Sequence, residues 1–447
     1  MVIYIRRDMD EVLVKWKTEW NRKPLLLRGV RQCGKTSVIR HFAEHFESFV
    51  EVNFEANDRY QSIFERDFDV RRILAALELE AGQRILPGNT LLFLDEIQAC
   101  PRAVTALRYF YEEMPELHVI AAGSLLEILL NGKRKKDRLN FPVGRVRSIF
   151  LYPLSFCEFL SGTGKDLLRE FLGQKNEIPS STHERLLEAY KNYLVIGGMP
   201  EAAAAFLNTG SILESQKVHR DIVMNFMDDF QKYDSPVPPD VLQRVFEFAA
   251  HHVCSQTKAS SAVDGISAYI FDESIDLLHR AGLVHPVRAS SCDVIPLGIA
   301  SKETNKKLLL FDTGVYLTHC GLDAAALMAS QIFDEMNRGS VVEMAVGLEL
   351  IKSSDPHAES ALYYWYRSGA NAEIDYAIQA RGCILPVEVK ASGKGSMQSL
   401  RSYLSSHSLS PFGIRVSLEN YASYDNIRVC PVYAAHRIRE ISINTEA

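Results

Sequence analysis

The chain has eight cysteines in 447 residues, at positions 33, 100, 157, 254, 292, 320, 383 and 430, and no two form a CxxC pair. That scatter excludes a disulfide framework and a cysteine-ligated zinc site, and it fits reduced thiols. No apolar run approaches the roughly 20 residues of a membrane-spanning helix. The opening "MVIYIRRDMDEVLVKW" has no apolar core of a signal peptide. No membrane and a cytoplasmic location are the expectations. A large excess of basic charge is also missing. The net charge is −6, so any contact with DNA or RNA needs a local basic patch. Hydrophobic residues make up 47% and charged residues 24% of the chain, enough for more than one globular core at this length.

The first informative stretch is "PLLLRGVRQCGKTSVIRHFAEHF". Leu25 to Leu27 read as a buried parallel strand. Gly29 to Thr36 match GxxxxGK[ST], and Val38, Ile39, Phe42 and Phe46 recur at helical spacing. Strand, glycine loop and helix form a phosphate cradle, with Gly29, Val30, Arg31, Gln32, Cys33, Gly34, Lys35, Thr36 and Ser37 as nucleotide-binding residues. Small residues at 29 and 34 let backbone N–H groups close on a phosphate at a helix N-terminus. Lys35 would reach the β- and γ-phosphates, and the Thr36 hydroxyl would meet Mg²⁺. ATP or ADP and Mg²⁺ are the expected ligands.

"NTLLFLDEIQ" supplies a second apolar strand ending in Asp95 and Glu96. Ligands gather at that edge of an α/β sheet. Asp95 would hold Mg²⁺, mainly through water, and Glu96 would act as the base toward the attacking water. A third strand, in "LHVIAAGSLLEIL", ends at Gly123-Ser124. Ser124 is either a polar residue sensing the γ-phosphate or the N-cap of the next helix. The basic run "NGKRKKDR" at 131–138 is either a solvated loop or a nucleic-acid contact. Arg145 is either a charge-stabilising arginine, acting in cis or on a neighbouring subunit of a homo-oligomer, or half of a surface ion pair.

"GVRQCGKT", "LLFLDEIQ", "AAGSLLE", "VGRVRSIFLYPLSFCEFL" and "YLVIGGMPEAAAAF", in this order, resemble a group of bacterial and archaeal AAA-type P-loop ATPases. Those proteins carry a C-terminal domain of unknown function that is similar to PD-(D/E)xK nucleases. The family loop usually has Pro after its first Gly and a small apolar residue before its second. Here Val30 and Cys33 stand in those places, and Cys33 implies sensitivity to thiol reagents. The resemblance implies an α/β fold: a P-loop ATPase core over 1–150, a helical lid over 151–233, a winged-helix-like unit over 240–300 and a restriction-endonuclease-like α/β unit over 301–447.

In the last unit, "EIDYAIQARGCILPVEVK" reads as a hairpin turning at Ala380-Arg381-Gly382. Strand alternation puts Glu373 and Asp375 on one face, and Glu388 and Lys390 on one face of the second strand. Two close carboxylates want a cation between them, so Asp375 and Glu388 are metal ligands with Lys390 beside them, and Glu343 on the preceding helix adds a third acid. Glu, Asp, then Glu-x-Lys is the PD-(D/E)xK pattern. Pro386 suggests an edge or bulge. The acids of the helix around Asp272, Glu273 and Asp276 argue against a phosphate-facing surface there. Two functions remain open: an ATPase coupled to nucleic-acid binding or cleavage, or a nucleotide-dependent regulatory switch that binds a protein partner and keeps an inactive nuclease fold.

Overall fold

Five short apolar segments form the first sheet: β1 (Leu25–Arg28), β2 (Ser48–Asn53), β3 (Thr90–Asp95), β4 (His118–Ala122) and β5 (Arg147–Phe150). All are parallel, in the order β2-β3-β4-β1-β5. The apolar runs of the inner strands β1, β3 and β4 are continuous because helices cover both faces, whereas the edge strands β2 and β5 are only partly buried. Leu26, Val50, Val52, Leu92, Leu94, Val119 and Ala121 pack on one side against helices Val70–Ala81 and Pro101–Glu113. Leu25, Leu27, Leu91, Phe93, Ile120 and Ala122 face the other side, in a core that runs on into the rest of the chain. The computed structural model describes residues 4–123, 142–174, 177–232, 235–322, 340–367, 372–390 and 397–441.

Helices follow from Phe156 to Lys232. The first opens with a capping box, in which the Ser155 hydroxyl accepts from the Glu158 N–H and Glu158 accepts from the Ser155 N–H. Helix Ser180–Ile196 ends at Gly197 (φ 74°), where a side chain would collide with Asp312. Helix Ile212–Lys232 then crosses back toward the first sheet.

The remaining strands are β6 (Thr257–Lys258), β7 (Val284–Ser290), β8 (Ser301–Leu310), β9 (Leu362–Tyr366), β10 (Glu373–Ala380), β11 (Cys383–Val389), β12 (Gly413–Ser417), β13 (Ala422–Tyr424) and β14 (Ile427–Pro431). Helix Pro239–His251, β6, helix Ala268–Arg280, then antiparallel β7 and β8 make one unit. β7 also pairs in parallel with β9, so one nine-stranded sheet, β13-β14-β12-β11-β10-β9-β7-β8-β6, runs across residue 300 into the C-terminal unit.

The β10–β11 turn has Arg381 and Gly382 both at positive φ (50° and 77°), the two-residue type I′ geometry that matches strand twist. β11 is not an edge. It lies between β10 and β12, and the β12 ladder starts at Val387, one residue past Pro386, so the missing N–H falls outside it. The register irregularity lies instead between β9 and β10, at Ile374/Ala377.

Candidate functional site

The loop after β1 stands at the carboxyl edge of the first sheet. Gly29 is required there, since a Cβ would sit 2.1 Å from the Leu151 carbonyl oxygen. Gln32 (φ 64°) and Gly34 (φ 97°) turn the chain into helix Lys35–Ala43. Val30 is buried against Gly282, and Ser37 is exposed on the helix. Lys35 Nζ donates to the Gly29 and Val30 carbonyl oxygens, 2.9 Å each. The Thr36 hydroxyl donates to Asp95 Oδ2 at 3.1 Å. Arg31 Nη1 donates to both carboxylate oxygens of Asp229 on helix Ile212–Lys232, at 2.6 Å.

Cys33 is fully buried, with its thiol on the Leu151 carbonyl at 3.5 Å. The expectation of reactivity toward thiol reagents is corrected to this extent: the sulfur has no exposed surface in this conformation.

Asp95 is buried at the end of β3, and burial together with the neighbouring Glu96 pushes its carboxyl up to about 6. Glu96 has left-handed backbone (φ 48°), and its carboxylate accepts from the Gln98 carboxamide, which also donates to Glu55 at 3.3 Å. Gln98 itself lies against Gly123, where a Cβ would come within 2.5 Å of its Oε1. Ser124 and the basic run 131–138 lie outside the described residues.

Behind the loop is a support that sequence inspection missed. Arg7, 4% exposed, donates to the Cys33 carbonyl (3.0 Å), the Tyr152 carbonyl (2.6 Å) and Glu158 Oε1 (3.0 Å). It braces the phosphate loop from the segment before β1. The readable signal was the Ser155-x-x-Glu158 capping box, whose acid is shared with Arg7.

Arg145 is away from this centre. Arg147 pairs with Leu25, at the start of β1, whereas the loop follows its end. Leu25 and Gly29 are four residues apart, about 13 Å at ~3.3 Å per strand residue, and Arg145 lies in the turn two residues before β5. Its guanidinium pairs with Glu112 at 2.7 Å on the surface.

In the C-terminal unit Asp375 lies one step beyond the Tyr376–Val387 pair, beside Glu388. Glu388 is buried, bonded to Lys390 Nζ at 2.8 Å, and held above the usual carboxylate range by burial and, less strongly, by the charge of Asp375. Its Oε2 has no hydrogen-bond partner. Asp375 Oδ2 accepts from the Val389 N–H at 2.8 Å. Glu343 joins the group, with its carboxyl pushed up to about 8 by burial and by Asp375.

One residue among these acids was not anticipated. Lys307 on β8 is 1% exposed, and its ammonium reaches over the Tyr364 ring to Glu343 (2.9 Å), Glu373 and Asp375 (3.5 Å). An internal cation thus sits among the residues assigned to Mg²⁺. Among the described residues, no group of three or more His, Cys, Asp or Glu side chains is arranged to hold a metal ion. The donor set does not fit a resident metal. The sequence signal was a lysine pair, Lys306-Lys307, opening an apolar strand. Buried lysines need an acid partner.

Comparison with known proteins bears on the segment that holds the first of these centres. Residues 21–160 match the family model of an AAA domain, 187–326 a domain of unknown function (DUF8612) and 338–435 another (DUF4143). The search of curated proteins found no match. Among solved structures the chain is similar to the Aeropyrum pernix Orc1 protein in complex with DNA (13% identity, 73% of this chain and 95% of that one, TM-score 0.27). It is also similar to AMPPCP-bound DnaA from Aquifex aeolicus (14%, 62% and 80%, 0.27) and to PCH-2 of C. elegans (14%, 47% and 65%, 0.28). Among the described residues no helix is long and apolar enough to cross a membrane. Residues 21–160 carry the pattern of an AAA domain.

Proposed function

We propose that the chain is a nucleotide-dependent switch: it binds and hydrolyses ATP and passes its nucleotide state to a protein partner, with a nuclease-like C-terminal unit that does not cut. The ATPase half is supported by the Thr36 hydroxyl facing the Asp95 carboxylate at 3.1 Å. Hydroxyl and buried carboxylate suit a hydrated Mg²⁺, and the upward push on Asp95 is an electrostatic load that a cation relieves. When bound, Mg²⁺ neutralises charge on the phosphate oxygens. The loop N–H groups and the N-terminus of helix Lys35–Ala43 bind phosphate. Lys35 exchanges two carbonyls for phosphate oxygens. Glu96, held by Gln98, orients the water and takes its proton on the carboxylate.

The observation that favours a switch over a nuclease is Lys307, whose ammonium stands among Glu343, Glu373 and Asp375. The deciding experiment incubates purified protein with plasmid and single-stranded DNA and RNA, in Mn²⁺ or Mg²⁺, with and without ATP. Hydrolysis of ATP that Lys35→Ala abolishes, with no cutting, is the expected result. Nicking that Asp375→Ala removes would overturn the switch reading.

A second reading, an ATPase coupled to nucleic-acid binding, is favoured by one observation. The order helix, strand, helix, two antiparallel strands over 239–310 is similar to that of a winged helix. Against a phosphate-facing role, helix Ala268–Arg280 presents an exposed Tyr269, and its Asp272 is engaged by Lys306 at 2.6 Å. ATPase stimulation by DNA or RNA decides between the two.

A further inference from the structure

We propose that Arg31 is a phosphate-reading residue held off its ligand by Asp229, so that nucleotide arrival breaks the Arg31–Asp229 pair and releases the end of helix Ile212–Lys232. The inference rests on the ATP-binding reading of the loop and adds the route by which occupancy leaves the site.

Two cations point from the loop, and each is engaged by protein oxygens. Lys35 lies on the loop's own carbonyls, a contact that stays within the loop. Arg31 instead ties the loop to a helix 198 residues away in the chain. The two ends of that tie differ. The Arg31 side chain is 33% exposed, on the open side of the loop, while Asp229 is 1% exposed. Arg31 stands in the phosphate loop itself, four residues before Lys35, at the carboxyl edge of the first sheet. A triphosphate brings several oxygens to that edge and competes with Asp229 for one guanidinium, a planar donor suited to phosphate.

Moving Arg31 away leaves the nearly buried Asp229 carboxylate without this cation, which is unfavourable. The helix end that carries it is placed to respond. Phe226 packs edge-on against Phe311 (ring centroids 5.5 Å apart), at the end of β8, and Phe230 against Phe246 (6.2 Å) in helix Pro239–His251. A shift at Asp229 is therefore felt by the helix and strand that frame the middle unit. β8 is also the strand that carries Lys307.

The test is the affinity of a fluorescent ATP analogue with Mg²⁺. Asp229→Asn removes the competing charge and should tighten binding by about tenfold, as expected when a non-binding state is taken away. Arg31→Ala should weaken binding. In the double variant Asp229→Asn should have no further effect, since the pair acts as a unit. If Asp229→Asn does not fold, amide exchange of the wild-type chain carries the same question: ATP should speed exchange over residues 226–232. Unchanged or weaker binding by a folded Asp229→Asn, or unchanged exchange in a chain that binds the analogue, overturns the inference. A wild-type chain that binds no analogue overturns the ATP reading beneath it.

Discussion

The AAA centre and the C-terminal acid cluster both gather carboxylates on a parallel or mixed sheet, and they handle the charge in opposite ways. At the first, the hydrogen-bond donors to Asp95 and Glu96 among the described residues are neutral: the Thr36 hydroxyl, a backbone N–H and the Gln98 carboxamide. Asp95 is left pushed up to about 6. At the second, Lys307 supplies a full positive charge to three acids and Lys390 serves a fourth. Acids that await a ligand carry strain in the free protein. Acids that have an internal cation are raised by burial too, as Glu343 and Glu388 are, but their charge is already balanced and they have little left to offer a metal. Function is therefore read less from where acids converge than from whether the chain has brought its own counter-ion.

The largest test of that contrast is Lys307→Met. It strands Glu343, Glu373 and Asp375 without their cation, and unfolding free energy should fall by about 3–5 kcal/mol, the scale for breaking a buried pair from one side. Chemical denaturation measures it. A loss under about 1 kcal/mol would mean that the ammonium is not the counter-ion of the cluster. Mn²⁺ titration of Asp95→Asn protein without nucleotide sharpens the point, because no uptake is expected once the cation site of the nucleotide centre is removed.

At the AAA centre the corresponding test is Glu96→Gln. Size and the hydrogen bond from Gln98 are approximated while basicity is lost. Nucleotide binding should persist while turnover drops by ~10²-fold, about 2.7 kcal/mol of barrier. Turnover near wild type would pass the role to Asp95 or to another residue. Lys35→Ala should abolish binding or turnover altogether.

Asp95→Asn gives a smaller effect with a defined pH window. An acid whose folded value is about 6, above its unfolded value, binds protons more tightly in the native state. Its unfavourable contribution is absent below roughly pH 4, develops as pH rises toward 6, and is complete above ~7. Without nucleotide, Asp95→Asn should stabilise the fold by roughly 1–2 kcal/mol at pH 7.5, allowing for partial solvent screening, and by little at pH 4. It should also remove hydrolysis. Equal stability of the two proteins at pH 7.5 would deny that this centre is strained.

What could be read in advance follows the range of the interactions. Leu25–Leu27, the glycine loop and helix Lys35–Ala43 are contiguous, and the apolar strand ending in Asp95-Glu96 is local, so pattern alone located them. The turn at Arg381-Gly382 was legible for the same reason. Arg7 meets Glu158 across 151 positions and Arg31 meets Asp229 across 198, and neither pairing leaves a periodic trace. Lys307 is set among its acids by the run of one sheet through β7, β8, β9 and β10, which required the middle and C-terminal units to share strands. Cys33 was misjudged because the fold of Leu151 over the loop is equally non-local.

Arg145 gives the smallest expected effect and the sharpest check on where the AAA centre ends. Its partner Glu112 lies on helix Pro101–Glu113, and both side chains face solvent, where salt and water screen the pair. It also stands at the opening edge of β5, opposite the edge that holds Lys35 and Thr36. Within one chain its guanidinium is engaged by Glu112. Arg145→Ala should leave the unfolding midpoint unchanged within error and keep specific ATPase activity within about twofold of wild type, as for other surface substitutions away from a site. Those outcomes should hold across protein concentration. The one arrangement that would give Arg145 a role is a neighbouring subunit that presents it to the loop. Specific activity would then rise with concentration, and mixing Arg145→Ala with Lys35→Ala protein would restore turnover that neither has alone. Restoration would extend the first centre across an interface and leave the second as the only one complete within a single chain.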